Sequence, residues 1–323
     1  MIISQSLTKS FGYYVVDDMI ISQDYCPLQI YHKEILKDTK IESDAMMIGN
    51  YGEYKCLKSV GARGNFITDL PRKNLTKKQT NENIVRKAEG KRLIKGAKKI
   101  DQIRVDAQIE RFSELTSSKQ IIINKSNVHI PLISKVSDDI YISGELDIFP
   151  TTIMTEAGLA LTIIDLKFTA DVNNSFFSEN RISSGYSCYA NPRFLIKNQA
   201  LFYHWLVRNI NFDIIKEKLP KQYDRIKSTI SDNLLTTIKT HGCGFTLLVL
   251  GYKKDITKDS PQYKILHVKW DNKREALFKK LVNLTVKSYK NCLNDGWVTN
   301  PKYNLCLKCP VKDCKKRIID IVI

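Results

Sequence analysis

Long apolar runs are missing from this chain of 323 residues. A membrane-spanning helix needs about 18–20 consecutive apolar residues, and the longest stretches here, such as Phe245–Leu250, are only strand-length. Met1–Ser10 also lacks the basic-then-apolar plan of a secretory signal. These absences argue against a spanning helix and predict a cytoplasmic, reducing setting, in which the eight cysteines would not pair as disulfides. No Gly-x-x-x-x-Gly-Lys-Ser/Thr loop is present, so the chain carries no helicase or ATPase motor of its own. Histidine is scarce: His32, His129, His204, His241 and His267 show no ligand spacing with one another and read as core or surface residues. Acidic residues are in short supply too, 34 Asp and Glu against 51 Lys and Arg, a net charge of +17. That excess favours a polyanionic partner, most commonly nucleic acid.

What is present suffices for a large core, since 43% of the residues are hydrophobic and a chain this long buries most of its apolar surface. One domain over 1–323 is expected, in three parts. Residues 26–120 read as a helical N-terminal part, and the first 70 residues as helices and turns. Within it Arg72–Lys99 holds eleven cations against Glu82 and Glu89. Ile84, Ala88, Ile94, Ala97, Ile100 and Ile103 have a loosely helical spacing, which predicts a basic amphipathic helix after a polar Thr68–Glu82 connection. Residues 121–270 form the sheet: 121–123, 128–133, 140–149, 159–168, 245–251 and 263–270 are rich in β-branched residues and bounded by Asn, Ser, Asp and Gly. Helices are expected over 194–210 and, as a polar pair, to about 239. Residues 271–323 comprise an amphipathic helix from Arg274 to Leu293 and a tail rich in cysteine and lysine.

Two of the predicted strands carry the chemistry. In Leu161–Phe168 an Asp and a Lys, Asp165 and Lys167, stand two apart among Ile163, Ile164, Leu166 and Phe168, so both face the same way. Charges in so apolar a strand must be paired or bind a metal. Asp147 lies near the end of the preceding strand, where antiparallel pairing could bring it beside Asp165. Two carboxylates and a backbone carbonyl make a hard oxygen site for Mg²⁺ or Mn²⁺, and Lys167 could orient water or neutralise phosphate charge. A simple Asp–Lys salt bridge is the plainer alternative. Downstream, Gln199 and Tyr203 are four apart and share one helix face. Near the C-terminus Cys306, Cys309 and Cys314 fall within nine residues, a spacing typical of metal ligands in a reducing compartment.

Gly144-x-x-Asp147, then Asp165-x-Lys167, then Gln199-x-x-x-Tyr203 resembles the PD-(D/E)XK nuclease superfamily, in its RecB/AddB-like iron–sulfur branch that includes the CRISPR-associated RecB-like exonucleases. The resemblance implies a restriction-endonuclease-like α/β core, with a central mixed sheet flanked by helices and the two chain ends joined at a metal cluster. It implies that Asp147 and Asp165 bind the catalytic metal, that Leu166 lends its backbone carbonyl, and that Lys167 is catalytic. Gln199 and Tyr203 would bind substrate or support the site. The family's upstream Gly-x-x-x-His is matched best by Gly49–Glu53, with Glu53 in the histidine's place as a further ligand; a surface Glu is the alternative. The resemblance also implies a [4Fe–4S] cluster on Cys26, which precedes Pro27 as in that family, and on Cys306, Cys309 and Cys314. The final spacing of four residues, where five is usual, keeps Zn²⁺ open, and Cys56 could compete with Cys26. The expected activity is a metal-dependent DNA nuclease, an exonuclease on single strands or duplex ends, of a bacterium or phage-infected host cell. The alternatives are a non-catalytic DNA-binding or assembly factor, and a nuclease subunit that needs a helicase, recombinase or annealing partner.

Overall fold

The computed structural model describes residues 1–4, 7, 10–11, 13–16, 19–22, 25–37, 44–61, 75–94, 100–123, 127–169, 172, 196–252, 262–272, 274–298, 311 and 314. Seven strands form one mixed sheet: β1 (Ile2–Ser4), β4 (Ile121–Ile122), β5 (Val128–Ser137), β6 (Ile140–Thr155), β7 (Gly158–Thr169), β8 (Gly244–Gly251) and β9 (Tyr263–Val268). A separate antiparallel ribbon pairs β2 (Tyr13–Val16) with β3 (Met19–Ser22). The sheet runs β1-β6-β7-β8-β9, with β4 and β5 along the other edge of β6. The β7–β8 pairing is parallel, and β8 is buried along its whole length, as its apolar sequence Phe245–Leu250 requires.

Nine α-helices have defined bounds among the described residues: α1 (Pro27–Ile30, continued by a π-helical turn over Tyr31–Leu36), α2 (Asp44–Ser59), α3 (Lys77–Ala88), α4 (Ile100–Ser117), α5 (Ile196–Arg208), α6 (Phe212–Lys218), α7 (Tyr223–Thr229), α8 (Asp232–His241) and α9 (Arg274–Asp295), with a 3-10 turn over Pro220–Gln222 between α6 and α7. On one face of the sheet, α5 to α9 cover a core in which Trp205, Leu206, Phe278 and Val282 meet Ile142, Leu146, Ile163 and Phe245. On the other, α2 and α4 supply Cys56, Leu57, Phe112 and Leu115 to Ile148, Ile164, Leu166 and Leu248. Each such side chain, fully buried, contributes about 1.5–3 kcal/mol. The buried amide of Gln108 on α4 donates to the carbonyls of Gly251 (2.6 Å) and Gln262 (2.9 Å), satisfying backbone groups where β8 ends and β9 begins.

The α/β architecture, a mixed sheet flanked by helices, is as expected. Three expectations need correction. The first 70 residues contain three strands as well as helices. The polar helix pair is three short helices, α6 to α8. The basic amphipathic helix does not form as such among the described residues: α3 starts inside the segment read as a connection, where Thr76 and Gln79 form a capping box, and it stops at Gly90, whose φ of +66° breaks the helical path. Ile84 and Val85 on α3 are 67% and 55% exposed, so the apolar period reports no buried face. No helix among the described residues is long and apolar enough to cross a membrane.

Candidate active site

β6 is the longest strand, and its partners change along it. At Tyr141–Ser143 it lies between β5 and β1; from Ile148 onward β7 takes the place of β1. Between those stretches, Gly144–Asp147 have no strand beside them on that edge among the described residues, and β7 departs from β6 beyond Ile164 to follow β8. The sheet therefore forks, and backbone groups at the fork need other partners. Asp147 supplies one: its Oδ2 accepts the Leu166 amide at 2.8 Å.

Asp165 faces the same opening from β7 and is only 3% exposed. Its Oδ1 accepts a 2.6 Å hydrogen bond from Gln199 Nε2 on α5. Its buried Oδ2 is paired with the Lys167 ammonium. Lys167 also donates to the Leu166 carbonyl at 3.0 Å. From the opposite layer α2 brings Glu53, held close to β7 because Gly49 and Gly52 on the same helix lie against Phe168.

The electrostatics bind these residues into one unit. Burial, followed by the charges of Asp165 and Glu53, raises the Asp147 carboxyl well above its ordinary range. Burial also raises Glu53, Lys167 opposes the rise, and Asp165 adds to it. Burial works against the Lys167 ammonium, yet Asp165, Asp147 and Glu53 together hold its pKa above the usual lysine value. Tyr203, half-buried on the same face of α5 as Gln199, has its phenol kept neutral by burial and by Asp165 and Asp147.

Five of the expected side chains, Asp147, Asp165, Lys167, Gln199 and Tyr203, thus meet at the fork, and Glu53 joins them. Sequence reasoning set His129 aside and did not single out its partner, Glu145. His129 Nδ1 lies 2.7 Å from Glu145 Oε1, and this bond, opposed by burial and reinforced by the charges of His129 and Arg225, lowers the Glu145 pKa. Both side chains act on Glu53. His129 has a φ of +52°, uncommon outside glycine, at the strand position between the pairs Val128–Ile148 and Ile130–Leu146, hence opposite Asp147. Glu145-x-Asp147 was visible as a period-2 pair of acids, but only the strand register brings His129 to it. His204 is buried against Trp270, a core histidine.

Among the described residues no three His, Cys, Asp or Glu side chains form a ready metal cage. The donor chemistry nevertheless suits a hard divalent cation. The charges of Asp147, Asp165 and Glu53 act on a single lysine, and burial raises the carboxyls of Asp147 and Glu53. A cation would balance the excess of carboxylates and favour their ionised forms.

Cys306 and Cys309 lie outside the described residues. Cys26 is buried at the start of α1, its side chain making no capping hydrogen bond, and Cys314 is half-buried; both are free thiols. Tyr31, five residues after Cys26, packs 5.4 Å from Trp297 just beyond α9, so the N-terminal helix reaches the segment that leads into the cysteine-rich tail. Cys56 is sealed within the α2–α4 core, and burial pushes its thiol upward, a poor setting for the competing ligand role. The sequence matches no protein-family model and no curated protein.

Proposed function

We propose that the protein is a metal-dependent DNA nuclease with a PD-(D/E)XK core, acting in the cytoplasm of a bacterium or phage-infected cell on single strands or DNA ends. The observation that carries the reading is the convergence of Asp147, Asp165, Lys167 and Gln199, from two strands and a helix, at the fork of the sheet. Asp147 and Asp165 would hold Mg²⁺ or Mn²⁺, with Glu53 and the Leu166 carbonyl completing the ligand set. The ion, when bound, supplies Lewis acidity toward a phosphoryl oxygen and a more acidic water.

The chain's own residues would do the rest. Lys167, held in its charged form, is a donor rather than a base, and its ammonium would stabilise negative charge building on the phosphate. Gln199 fixes the rotamer of Asp165 through Oδ1 and leaves Oδ2 turned toward Lys167. Tyr203 would offer a neutral hydroxyl to substrate. Cys26, Cys306, Cys309 and Cys314 would hold a [4Fe–4S] cluster, or Zn²⁺, that ties the two ends of the chain together; the Tyr31–Trp297 contact supports this by bringing α1 beside the end of α9.

One observation favours a second reading, a DNA-binding or assembly factor without cleavage. Lys167 and Gln199 already satisfy much of Asp165, as a structural ion pair would. The deciding experiment follows end-labelled linear and covalently closed single-stranded DNA with Mg²⁺ or Mn²⁺, using wild type and Asp165→Ala prepared anaerobically. Loss of linear DNA alone, abolished by the substitution, supports an exonuclease. Cutting of circles makes it an endonuclease. Binding without any cutting refutes catalysis by the isolated chain and turns attention to a helicase, recombinase or annealing partner.

A further inference from the structure

Leu75–Ile94, inserted between α2 and α4, is ordered by its own polar contacts. Thr76 and Gln79 cap α3. Asn83 clasps the returning chain through two hydrogen bonds with Ile94, one donated to its carbonyl (2.9 Å) and one accepted from its amide (2.6 Å). Arg86 pairs with Glu82 and donates to the Arg92 carbonyl. α3 itself contains no buried residue. A helix of 12 residues is marginal alone in water, so these clasps take the place that a core has elsewhere. They hold Ile84, Val85 and Leu93 in the open, at 67%, 55% and 48% exposure. The same 20-residue segment carries Lys77, Lys78, Arg86, Lys87, Lys91 and Arg92 against Glu82 and Glu89, a net +4.

We infer that this unit is a nucleic-acid arm that reads more than phosphate charge: its cations grip the backbone while Ile84, Val85 and Leu93 press against exposed bases at a strand end or junction. Aliphatic side chains in basic surroundings commonly unstack base steps in this way. A second copy of the chain is a poor occupant, because two +4 arms on two +17 molecules repel and three side chains offer far less area than a stable dimer buries. The inference rests on the nuclease reading only for the identity of the polyanion.

Phosphate grip and base contact leave different signatures. Removing one phosphate-binding cation lowers the slope of log K against log[salt] by about 0.9 for duplex and 0.7 for single strands, whereas removing a side chain that touches a base weakens affinity equally at every salt concentration. Binding of Asp165→Asn to a tailed duplex with 2-aminopurine in the terminal pair would be titrated at several salt concentrations. Lys77→Ala/Lys78→Ala and Lys87→Ala/Arg92→Ala should each flatten the slope by roughly 1–2. Ile84→Ser/Val85→Ser should keep the slope, bind about tenfold more weakly and abolish the fluorescence rise of the unstacked base. All these side chains lie outside the core, and circular dichroism checks that each variant is folded.

Unchanged slopes in both cation variants overturn the arm. Wild-type affinity and fluorescence in Ile84→Ser/Val85→Ser overturn its base contacts. Undiminished DNA binding together with abolished binding to anionic vesicles assigns the arm to lipid instead, and wild-type self-association dispersed by Ile84→Ser/Val85→Ser assigns it to a second copy; either result overturns the proposal. Cleavage by the wild type is scored separately. A protein that cuts nothing yet shows both signatures refutes the nuclease and leaves the arm standing, while one that cuts normally with inert arm variants refutes the arm alone.

Discussion

Asp147 accepts a backbone amide, faces two other carboxylates, and is held by burial in a state that resists ionisation. A carboxyl whose pKa is higher folded than unfolded binds its proton more tightly in the native state. Its contribution to stability is therefore complete below the ordinary carboxylate range of about 4 and is lost as pH rises through the raised native value. Asp147→Asn keeps an oxygen for the Leu166 amide and removes the charge. In chelator-treated buffer at pH 7–8 it should melt higher than wild type, by roughly 2–4 °C per 1 kcal/mol gained, and the gain should vanish near pH 4. Glu145 shifts the opposite way, but its causes are its bond to His129 and the charges of His129 and Arg225, with burial opposing, so its effect cancels between the two proteins. Added Mn²⁺ should then stabilise wild type and leave the variant unmoved; equal stabilisation of both would remove Asp147 from the ligand set. At this scale the sequence told much. An Asp and a Lys two apart in an apolar strand cannot be idle, and the structure pairs them. His129 was illegible because its partner lies 16 residues away on another strand, and only the register of β5 against β6 joins them.

Among the elements, α2 sets the reach of Glu53. A Cβ on Gly52 would stand 2.6 Å from the Phe168 ring, so Gly52→Ala must push α2 off β7 or turn the ring. The expected penalty is about 1–3 kcal/mol, read as a lower urea midpoint, with metal-dependent activity falling further than stability because Glu53 moves with the helix. Gly144→Ala supplies the contrast. Its Cβ would meet the tip of Leu206 at 2.9 Å, which can swing aside, so the midpoint should move far less. If Gly144→Ala proves the more damaging of the two, the assigned close approach of α2 to β7 is wrong. The long strands were legible because β-branched residues alternate or run continuously between turn residues, as in β5, β7 and β8. β1 was not: three residues pair with a strand almost 140 positions away, and nothing local marks them. α3 shows the reverse failure, since its apolar spacing fits a helix that has no core to face.

For the molecule as a whole, the chain ends matter most. Tyr13 on β2 meets Ser288 on α9 at 2.8 Å, and Trp297 lies against both Tyr31 and Tyr289. A ligand set drawn from Cys26 and the tail would close a loop spanning nearly the entire sequence, and closing long loops restricts the unfolded chain most. Cys26→Ser should therefore bleach the brown colour of anaerobically purified protein and lower its melting temperature by roughly 5 °C or more. Retained iron with unchanged melting would remove Cys26 from the cluster, and bound zinc in place of iron would select the other metal. Composition had already announced the global traits: a net charge of +17 and apolar material enough for a large core. It could not show that α1 and α9 meet, because that contact depends on how β1 to β3 return the N-terminus to the sheet.

The fork in the sheet has one more consequence. The Leu166 amide faces the edge that β6 leaves at the fork, and its hydrogen bond goes to a side-chain carboxylate instead of a ladder partner. Its neighbours in β7 are secured by the ladder to β8, whereas its own protection depends on where Asp147 points. Deuterium uptake at this single amide would thus report, in real time and without any substrate, how often the carboxylate turns away from the backbone.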